Sequence, residues 1–443
     1  MGRRRAHRPL NVLINARPVG RLEKDAGGGV SFQYDRDWLD WENAFPVSLS
    51  LPLRAPVWRG APVAAVFDNL LPDSPAVRRR VAERTGAEGT DAYSLLEEIG
   101  RDCIGAMQFI PDGFDLDISG RIEAEDIDDA GIEAVLADLE RAPLGLNPEE
   151  GFRLSIAGAQ EKTALLLHEG RWKRPVGATP TTHILKPQLG KIPTASGEVD
   201  LSHSVDNEHY CLALMEAFGL PAAKSWIASF GERRVLVLER FDRAWRADGR
   251  LLRLPQEDLC QALSTPSSRK YQDKGGPGVR QILERLQEAD DPARDQARFF
   301  KSQIVFWMIG AADGHAKNFS LFLRPGGRFE LTPFYDVLTA QPAYDAKKIP
   351  HRDFRLAMAA GATPQYRIDD LLGRHFVEGG KAAGLGPALM RQVIEDIMET
   401  AEAAPDRALS AMPTDFHPEA HAAIAGALPG RLRLLETAWE ALG

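Results

Sequence analysis

The sequence predicts an α+β fold that is divided into two or three domains or lobes. Its 443 residues exceed what one ordinary hydrophobic core holds, because single cores stop growing at roughly 250–300 residues. Short apolar segments typical of strands occur in the first half of the chain, among them Leu10–Ile14, Ala164–Leu167 and Arg234–Leu238. Apolar stripes typical of helices follow near the C-terminus, around Leu371, Leu389, Val393, Ile397 and Leu432.

The composition excludes several classes of protein. Hydrophobic residues make up 44% of the chain and charged residues 26%, which is ordinary for a globular protein. No apolar run approaches the roughly 20 residues needed to cross a bilayer. The net charge of −9 argues against binding nucleic acid alone, because that requires a cationic face. An acidic protein can still reach DNA through a basic partner.

Two further features bear on the cellular location. The basic start Met1–Arg5 lacks the apolar segment of a signal peptide. We interpret it as a solvated tail, with an arm that contacts nucleic acid as the alternative. Cys103, Cys211 and Cys260 lack the spacing of metal ligands or redox pairs, which predicts buried thiols in a reducing cytoplasm.

Residues 9–110 predict a mixed α/β unit. The glycine triplet Gly27–Gly29 precedes a strand, so we interpret it as a turn and not as a phosphate cradle, which needs a helix N-terminus. Further on, Asp73-Ser74-Pro75 predicts the start of a helix, with a capping residue and proline in the first turn. Arg78–Arg80 lie on that helix, where a solvated face is expected and a phosphate site is the alternative.

The segment from Ser155 to Thr163 leads into a strand, and its end invites a Walker A interpretation. That motif needs glycine directly before the lysine and a helix afterwards, whereas this chain has Glu161 before Lys162 and continues into a strand. We therefore reject it. A loop of small residues between two strands instead resembles the phosphate-covering loop of protein kinases, although Gly158 is its single glycine. A polar β-turn explains this segment alone equally well.

A lysine and a glutamate follow at places that phosphoryl transfer uses. The apolar strand that starts at His183 delivers Lys186, as a kinase strand delivers the lysine that binds the α- and β-phosphates. A helix follows, with Asn207 and Glu208 in its first turn and Gly219 at its end. An ion pair between Lys186 and Glu208 would position a nucleotide. A lysine at a strand end is otherwise simply solvated.

The middle of the chain predicts a second buried strand and then helices. Arg234–Asp242 is predicted to be a buried strand that stops at a polar stretch, where a kinase offers backbone groups to adenine. Residues 254–258 are predicted to open a helical region, and residues 264–278 to form a loop. An apolar helix is expected from Phe299 to Gly310.

The most informative stretch follows this helix. Asp313 and Asn318 stand five residues apart in a polar loop, a predicted hairpin follows, and Asp336 comes after the hairpin. A protein-kinase catalytic centre has the same order: a base, an asparagine that binds Mg²⁺, and a second aspartate that completes the metal site. We expect these side chains and Lys186 to converge on a magnesium-bound triphosphate, and residues 337–354 to form an irregular segment.

These residues together resemble the HipA family of bacterial toxin kinases. The similar segments are SIAGAQEKTALL, TPTTHILK, VDNEHYC, LVLERFDRAW, LPQEDLCQ, GGPGV, DGHAKNFS, LTPFYDV and PTDF, and the resemblance covers residues 9–440. It implies a two-lobed protein-kinase-like fold with an extra N-terminal α/β subdomain and an all-helical C-terminal lobe. The expected boundaries are residues 1–150 for the N-terminal subdomain, 151–245 for the N-lobe and 246–443 for the C-lobe.

The resemblance also implies an activity and partners. The family transfers the γ-phosphoryl group of Mg·ATP to a serine of a translation component, commonly an aminoacyl-tRNA synthetase such as the glutamyl enzyme. Blocked tRNA charging then halts growth and favours dormancy. A HipB-like helix-turn-helix antitoxin is expected to bind the toxin, restrain it and carry the complex to operator DNA. No membrane partner is implied.

The family's functional residues can be matched to this sequence one by one. The base is Asp313, and the Mg²⁺ ligands are Asn318 and Asp336. The residues expected to bind the nucleotide are Lys186, Glu239, Arg240, Phe241, His315, Lys317, Asn318, Tyr335 and Asp336. The loop that covers the phosphates is Ala157, Gly158, Ala159, Gln160, Glu161 and Lys162. Ser155 matches the inhibitory autophosphorylation position, where a dianionic phosphate would displace the loop from ATP, and Glu208 is the expected ion-pair partner of Lys186.

The sequence departs from eukaryotic protein kinases at three places. Ala312 precedes the base where those enzymes have arginine, Val337 follows Asp336, and the phosphate loop has one glycine. These departures leave the chemistry intact but remove the usual activation by phosphorylation. Two other functions are considered: a small-molecule kinase of similar fold, and a catalytically silent co-repressor that acts only with a DNA-binding partner. The intact Lys186, Asp313, Asn318 and Asp336 argue against the second.

Overall fold

The computed structural model describes residues 7–114, 120–139, 141–146, 154–158, 160–194 and 197–442. Its chain divides into two compact units, each built from three chain segments. Unit 1 contains Met1–Pro187, Ser229–Ser268 and Leu321–Phe329, and unit 2 contains Gln188–Ala228, Arg269–Ser320 and Glu330–Gly443.

The described residues form strands β1 (Leu10–Ile14), β2 (Arg17–Lys24), β3 (Val30–Tyr34), β4 (Trp58–Arg59), β5 (Met107–Pro111), β6 (Ala124–Asp126), β7 (Thr163–His168), β8 (Arg171–Pro175), β9 (His183–Pro187), β10 (Gly190–Thr194), β11 (Gly197–Leu201), β12 (Ser225–Phe230), β13 (Arg233–Glu239), β14 (Arg243–Trp245), β15 (Leu251–Arg253), β16 (Gln256–Asp258), β17 (Ser320–Arg324), β18 (Arg328–Leu331), β19 (Arg355–Ala360) and β20 (Gln365–Arg367).

They also form helices α1 (Arg36–Leu39), α2 (Ala61–Asp68), α3 (Pro75–Thr85), α4 (Ala92–Ile99), α5 (Asp129–Ala137), α6 (Ser204–Ala217), α7 (Leu259–Ala262), α8 (Val279–Leu286), α9 (Pro292–Ile309), α10 (Gln341–Asp345), α11 (Gly373–Ala382), α12 (Pro387–Thr400), α13 (Ala404–Ser410), α14 (Glu419–Leu435) and α15 (Ala438–Leu442).

Unit 1 contains an N-terminal sheet with the strand order β4-β3-β2-β1-β5. Neighbouring strands run antiparallel, and β1 lies between β2 and β5. Leu10, Val12, Leu22 and Phe32 are fully buried, so one face of the sheet forms a core. Helix α3 begins as predicted, because the Ser74 side chain accepts a hydrogen bond from the first turn.

A second sheet in unit 1 carries the lysine strand. Within this unit its strand order is β13-β9-β7-β8-β6, and β9 pairs antiparallel with both β13 and β7. The central position of β9 buries Leu185 and Lys186. The consecutive apolar residues of β7 and β13, including Leu165, Val235 and Val237, are buried around it. The strand is therefore held on both edges.

A buried network of five charged side chains lies between these two sheets within unit 1. Asp102 contacts Arg240, Arg243 and Arg253 at 3.3, 2.8 and 3.1 Å. Asp242 contacts Arg240 at 2.7 Å and Arg243 at 3.0 Å. Every one of these side chains is at most 5% exposed. The network fixes the N-terminal sheet region to the end of β13.

Unit 2 is built around the long helix α9. It begins at an N-cap, Asp291, with Pro292 in its first turn, and ends at Gly310, which has a left-handed φ of 69°. Helices α8, α12 and α14 pack against it. Trp307 is fully buried, and its indole N–H donates to the carbonyl of Ile368 at 3.0 Å.

Four local predictions from the sequence are wrong. Residues 256–258 form strand β16 before a short helix, where a helical region was expected from residue 254. Helix α10 lies inside the segment expected to be irregular, and the β19–β20 hairpin lies in the part expected to be helical. Arg78 and Arg80 do not form a solvated face, because they contact Asp68 at 2.5 Å and Glu161 at 2.8 Å.

Candidate nucleotide and metal site

The loop that carries Asp313 leaves helix α9 in a fixed direction. After the left-handed Gly310, the backbone N–H of Ala311 donates to the carbonyl of Phe306 at 2.8 Å. Gly314 lies against the same Phe306, and a Cβ there would come within 2.5 Å of two ring carbons. Any larger residue at 314 would push the loop away from the helix. Glycine is therefore a packing requirement at this position.

Asn318 and Asp336 are brought together behind this loop. The Asn318 side chain donates from Nδ2 to Asp336 Oδ2 at 2.8 Å, and its Oδ1 accepts from the backbone N–H of His315 at 3.3 Å. Asp336 has a left-handed φ of 59°. That conformation is uncommon for a residue with a side chain and persists only where the surroundings hold it. The predicted role of Asp336 as a metal ligand stays a prediction.

The donor atoms of this pair fit Mg²⁺. Asn318 offers an amide oxygen with two lone pairs, and Asp336 offers two carboxylate oxygens. Mg²⁺ takes oxygen ligands and is usually bound through one or two carboxylates together with substrate phosphates. The pair would thus hold the metal half of Mg·ATP and leave the remaining positions to phosphate and water.

A second group of possible metal ligands lacks the required geometry. Among the described residues, the ligand atoms of His203, His417 and Glu419 lie within 4.8 Å of one another. The two imidazole rings, however, are stacked, with centroids 3.4 Å apart and planes inclined by 4°. A nitrogen lone pair lies in the plane of its ring, so parallel rings do not direct both lone pairs at one ion. We do not assign a metal to this group.

Asp313 presents its carboxylate at the surface of the loop. Its side chain is 68% exposed, as a base that must meet a protein substrate requires. Oδ1 accepts a hydrogen bond from the hydroxyl of Tyr271 at 2.7 Å, and Oδ2 lies 4.0 Å from His315 Nε2. Tyr271 was not among the predicted site residues. Its segment was expected to be a loop, and no spacing rule links it to Asp313.

His315 and Lys317, two other predicted site residues in this loop, have buried side chains, and Tyr335 contacts the loop. The Tyr335 hydroxyl donates to the carbonyl of Lys317 at 2.9 Å and shares a hydrogen bond with the Ser320 hydroxyl at 2.6 Å. His315 and Lys317 are at most 7% exposed. Tyr335 thus ties the segment before Asp336 to the loop that carries Asn318. Its contacts in the structure are structural, and its predicted contact with nucleotide stays a prediction.

In unit 1, a hydrogen bond from Lys162 joins the two ends of the predicted phosphate loop. Lys162 Nζ donates to the carbonyl of Ala157 at 2.6 Å. Gly158 has a left-handed φ of 114°, and a Cβ there would come within 2.5 Å of Lys162 Nζ. The left-handed backbone therefore favours glycine at this position, because residues with a side chain rarely adopt it. Ala159 lies outside the described residues.

The same loop is attached to its surroundings in unit 1. The carbonyl of Gly158 accepts from the backbone N–H of Asp73 at 3.1 Å. Gln160 Nε2 donates to the carbonyl of Pro187 at 3.1 Å, at the end of the lysine strand. Glu161 forms the ion pair with Arg80 on helix α3. The N-terminal subdomain thus contributes directly to the position of this loop.

Lys186 and Glu208 are both buried, which distinguishes Lys186 from a solvated lysine at a strand end. Lys186 lies opposite Leu236 on the central strand β9 and is 6% exposed, and Glu208 lies on helix α6 and is 2% exposed. Long charged side chains are rarely buried without a partner. The two residues belong to different units, so their ion pair stays a prediction.

The predicted adenine-binding residues at the end of β13 have different environments. Glu239 is exposed, and the Phe241 ring meets Phe322 edge-on with centroids 5.8 Å apart. Arg240 instead directs its side chain into the buried charge network, and its backbone N–H donates to the carbonyl of Thr182 at 2.8 Å. The guanidinium of Arg240 therefore stabilises the folded structure through these ion pairs.

In the buried charge network of unit 1, burial and the neighbouring charges shift the pKa values in opposite directions. Burial raises the pKa of the Asp102 carboxyl, but the three neighbouring guanidinium groups outweigh it and hold the pKa below its usual value. The pKa of Asp242 is lowered by Arg240 and Arg243 in the same way, against burial. Burial lowers the pKa of Arg243 to about 10. All five groups remain charged at neutral pH.

Ser155 is fully buried in unit 1. Its hydroxyl donates to the carbonyl of Leu70 at 2.8 Å, and its backbone N–H donates to the carbonyl of Asp102 at 2.9 Å. A phosphate group cannot be added to the hydroxyl in this conformation, because no space or solvent surrounds it. The segment must leave its place before Ser155 can be modified.

Two family models match this chain. Residues 10–110 match the family model of the HipA N-terminal domain, and residues 154–405 match that of the HipA-like C-terminal domain. The second match alone covers more than half of the chain. The chain belongs to the HipA family. The resemblance that the sequence motifs indicated is thus confirmed.

Members of the HipA family align with nearly the whole chain. Y4mE of Sinorhizobium fredii, provisionally named a kinase, is 34% identical over 89% of this chain and 91% of its own length. The serine/threonine-protein kinase toxin HipA of Shewanella oneidensis is 28% identical over 79% of this chain and 78% of its own.

The fold of this HipA-family chain is confirmed by a solved structure. HipA of Shewanella oneidensis, in a complex with HipB and its operator DNA, matches with a TM-score of 0.78 and covers 97% of this chain and 99% of its own. At 23% identity, this likeness establishes the α+β fold. Within the described part of the chain, helices long and apolar enough to cross a membrane do not occur.

Proposed function

We propose that the protein is an ATP-dependent serine/threonine protein kinase and the toxin of a HipBA-type toxin–antitoxin module. The observation that carries the proposal is the arrangement of unit 2. An exposed Asp313 precedes the bonded pair of Asn318 and Asp336, and Asp336 is held in a left-handed conformation. A base beside an oxygen-only metal pair is what transfer of a phosphoryl group to a hydroxyl needs.

Each group has a separate role in the proposed reaction. Asp313 accepts a hydrogen bond from the attacking serine hydroxyl, orients it and receives its proton. Asn318 and Asp336 would hold Mg²⁺, which would supply positive charge beside the transferred phosphate. Lys186 binds the α- and β-phosphates, and the loop from Ala157 to Lys162 covers them. The γ-phosphoryl group moves to the serine oxygen, and ADP leaves.

The proposed substrate is a translation component, with an aminoacyl-tRNA synthetase such as the glutamyl enzyme as the first candidate. The high exposure of Asp313 supports a substrate as large as a protein. A HipB-like helix-turn-helix antitoxin is the proposed partner, and this chain reaches operator DNA through it. The complex of the Shewanella relative with HipB and its operator supports this partner. The net charge of −9 favours such an indirect route to DNA.

Radiolabelled ATP tests the activity directly. The purified protein is incubated with Mg²⁺, ATP labelled at the γ-phosphate and a panel of purified aminoacyl-tRNA synthetases. We expect serine labelling of one synthetase, and a loss of at least about 1,000-fold in Asp313→Asn, which keeps the side-chain shape but cannot accept the proton. Asp313→Asn should also relieve growth arrest while it still binds the antitoxin. Equal toxicity of this variant would refute the kinase proposal.

We also propose that Ser155 is an inhibitory autophosphorylation site. Because the Ser155 hydroxyl is buried and bonded to Leu70, we expect modification only after the segment opens. Mild urea, below the unfolding transition, should therefore raise the rate of phosphorylation at Ser155, measured by phosphopeptide mass spectrometry. Ser155→Ala is the control. Equal modification rates with and without urea would contradict the opening step.

A further inference from the structure

The hydroxyl of Tyr271 makes a direct contact with the proposed catalytic base. Its oxygen lies 2.7 Å from Asp313 Oδ1, which is a short, charge-assisted hydrogen bond. The Tyr271 ring meets the His315 ring edge-on, with centroids 5.0 Å apart and planes at 85°. His315 itself is buried in the same loop. Tyr271 thus touches the loop at two places, one polar and one apolar.

The segment that carries Tyr271 is built with little freedom. Gly276 curls back beneath it, and a Cβ at this position would come within 2.0 Å of the carbonyl oxygen of Arg269 and 2.8 Å of that of Tyr271. The backbone N–H of Gly276 donates to the Tyr271 carbonyl at 2.9 Å. Next to Tyr271, Gln272 accepts a hydrogen bond from the backbone N–H of Ala359 at 2.7 Å. The tyrosine is therefore held by its own turn and by strand β19.

We infer that Tyr271 is a positioning residue that fixes the Asp313 carboxylate for catalysis. The inference rests on the proposed function. An exposed carboxylate rotates easily about its last torsion, which has a broad energy minimum. A hydrogen bond to Oδ1 stops this rotation and thereby fixes the direction of the whole carboxylate toward the substrate hydroxyl.

The same contact has an opposite interpretation, which an experiment separates from ours. A tyrosine hydroxyl within 2.7 Å of the base stands at the distance from which a substrate hydroxyl reacts. If Tyr271 blocked that place, its removal would increase the rate. If it orients the carboxylate, its removal decreases the rate. The sign of the change in kcat therefore decides between the two.

Tyr271→Phe removes the hydroxyl and retains the ring. With Mg·ATP and the synthetase that the panel identifies, we expect kcat to fall by about 10- to 100-fold, as for a slightly misplaced catalytic group, while KM for ATP changes by less than about twofold. Tyr344→Phe is the matched control, because its hydroxyl donates to a different carboxylate, that of Asp369, and its kcat should match the wild type. A kcat of Tyr271→Phe equal to or above the wild type overturns the inference.

A variant of the turn tests the same role without touching the hydroxyl. Gly276→Ala forces the turn apart, so we expect a similar fall in kcat and little further loss in the double variant with Tyr271→Phe. Gly386→Ala is its control, because a Cβ there meets nothing within 4 Å. Additive losses of the two changes would contradict a shared role. An unchanged melting temperature in each variant excludes unfolding as the cause.

The failure of the proposed function can be distinguished from the failure of this inference. If folded wild-type protein labels none of the synthetases, the proposed function fails in that form. A crystal structure of Tyr271→Phe then still tests whether the tyrosine hydroxyl orients the Asp313 carboxylate. Disorder or a new rotamer of the Asp313 carboxylate supports the positioning role, and an unchanged, well-ordered carboxylate overturns it.

Discussion

The two polar clusters of this protein differ in the groups that contact their carboxylates. In unit 1, Asp102 and Asp242 are buried and form ion pairs with three arginines. The negative charges of the carboxylates are therefore compensated by the positive charges of the guanidinium groups. In unit 2, the hydrogen bonds described above to Asp313 and Asp336 come from neutral groups, the Tyr271 hydroxyl and the Asn318 amide. The first cluster needs no ligand to remain buried. The second contains the proposed base and a proposed metal ligand.

This difference explains why one predicted binding residue belongs to the fold. Arg240 stands beside the expected adenine site, but its guanidinium contacts Asp102 and Asp242. An arginine that is already neutralised by two buried carboxylates is not available to a phosphate. We therefore expect changes in the unit 1 network to lower stability and changes in the unit 2 cluster to lower activity.

The largest effect is expected from Asp336→Asn. Asparagine tolerates the left-handed backbone at this position, so the fold should persist. The loss of the charged metal ligand should reduce phosphate transfer by at least about 1,000-fold, roughly 4 kcal/mol of transition-state stabilisation. Asp353→Asn is the matched control, since Asp353 makes an exposed ion pair with Arg352. A comparable loss in the control would show that the effect is not specific to the metal pair.

Asp102→Asn tests the other cluster. Removal of this charge leaves three buried guanidinium groups with one carboxylate, which should cost about 3–5 kcal/mol in the free energy of unfolding. Urea unfolding followed by circular dichroism measures it. The matched control is Asp126→Asn, which breaks an exposed ion pair with Lys173 and should cost less than about 1 kcal/mol. Equal costs at both positions would remove the distinction between the clusters.

A smaller effect is expected from pH. Burial lowers the pKa of His183, on the lysine strand, from 6.5 to about 4. Between these values the unfolded chain takes up a proton that the folded chain does not, so stability falls as the pH decreases through this window, by up to about 3 kcal/mol. The lowered pKa values of Asp102 and Asp242 add their loss only below their ordinary value of 3.8.

The variant His183→Gln isolates the histidine contribution. Its unfolding free energy, measured by urea titration at intervals from pH 7 to pH 4.5, should depend less on pH than that of the wild type. An equal slope in both proteins would assign the acid sensitivity to other groups.

The sequence predicted those features that depend on neighbouring residues. Asp313 and Asn318 stand in one short loop, Gly310 marks the turn that precedes it, and Gly158 marks the turn of the predicted phosphate loop. Strand β9 and helix α9 were predicted from the spacing of their apolar residues. In such cases, local conformation alone places the side chain.

The features that the sequence did not reveal depend on distant residues. Asp102 and Arg240 are 138 residues apart in the chain, and Tyr271 and Asp313 are 42 apart. No periodicity connects such pairs, because each one is brought together only when whole elements pack. The β19–β20 hairpin was missed for a related reason, since its strands are short and its register is irregular. Long-range packing therefore limited the prediction.

The buried network has a consequence for how this protein can be divided. Family models separate residues 10–110 from residues 154–405, but Asp102 lies in the first part and Arg240, Arg243 and Arg253 in the second. A shortened polypeptide that begins at the second part would keep three guanidinium groups with a single acid among them. The boundary between the two family models is thus not a position at which the polypeptide can be divided without breaking this network.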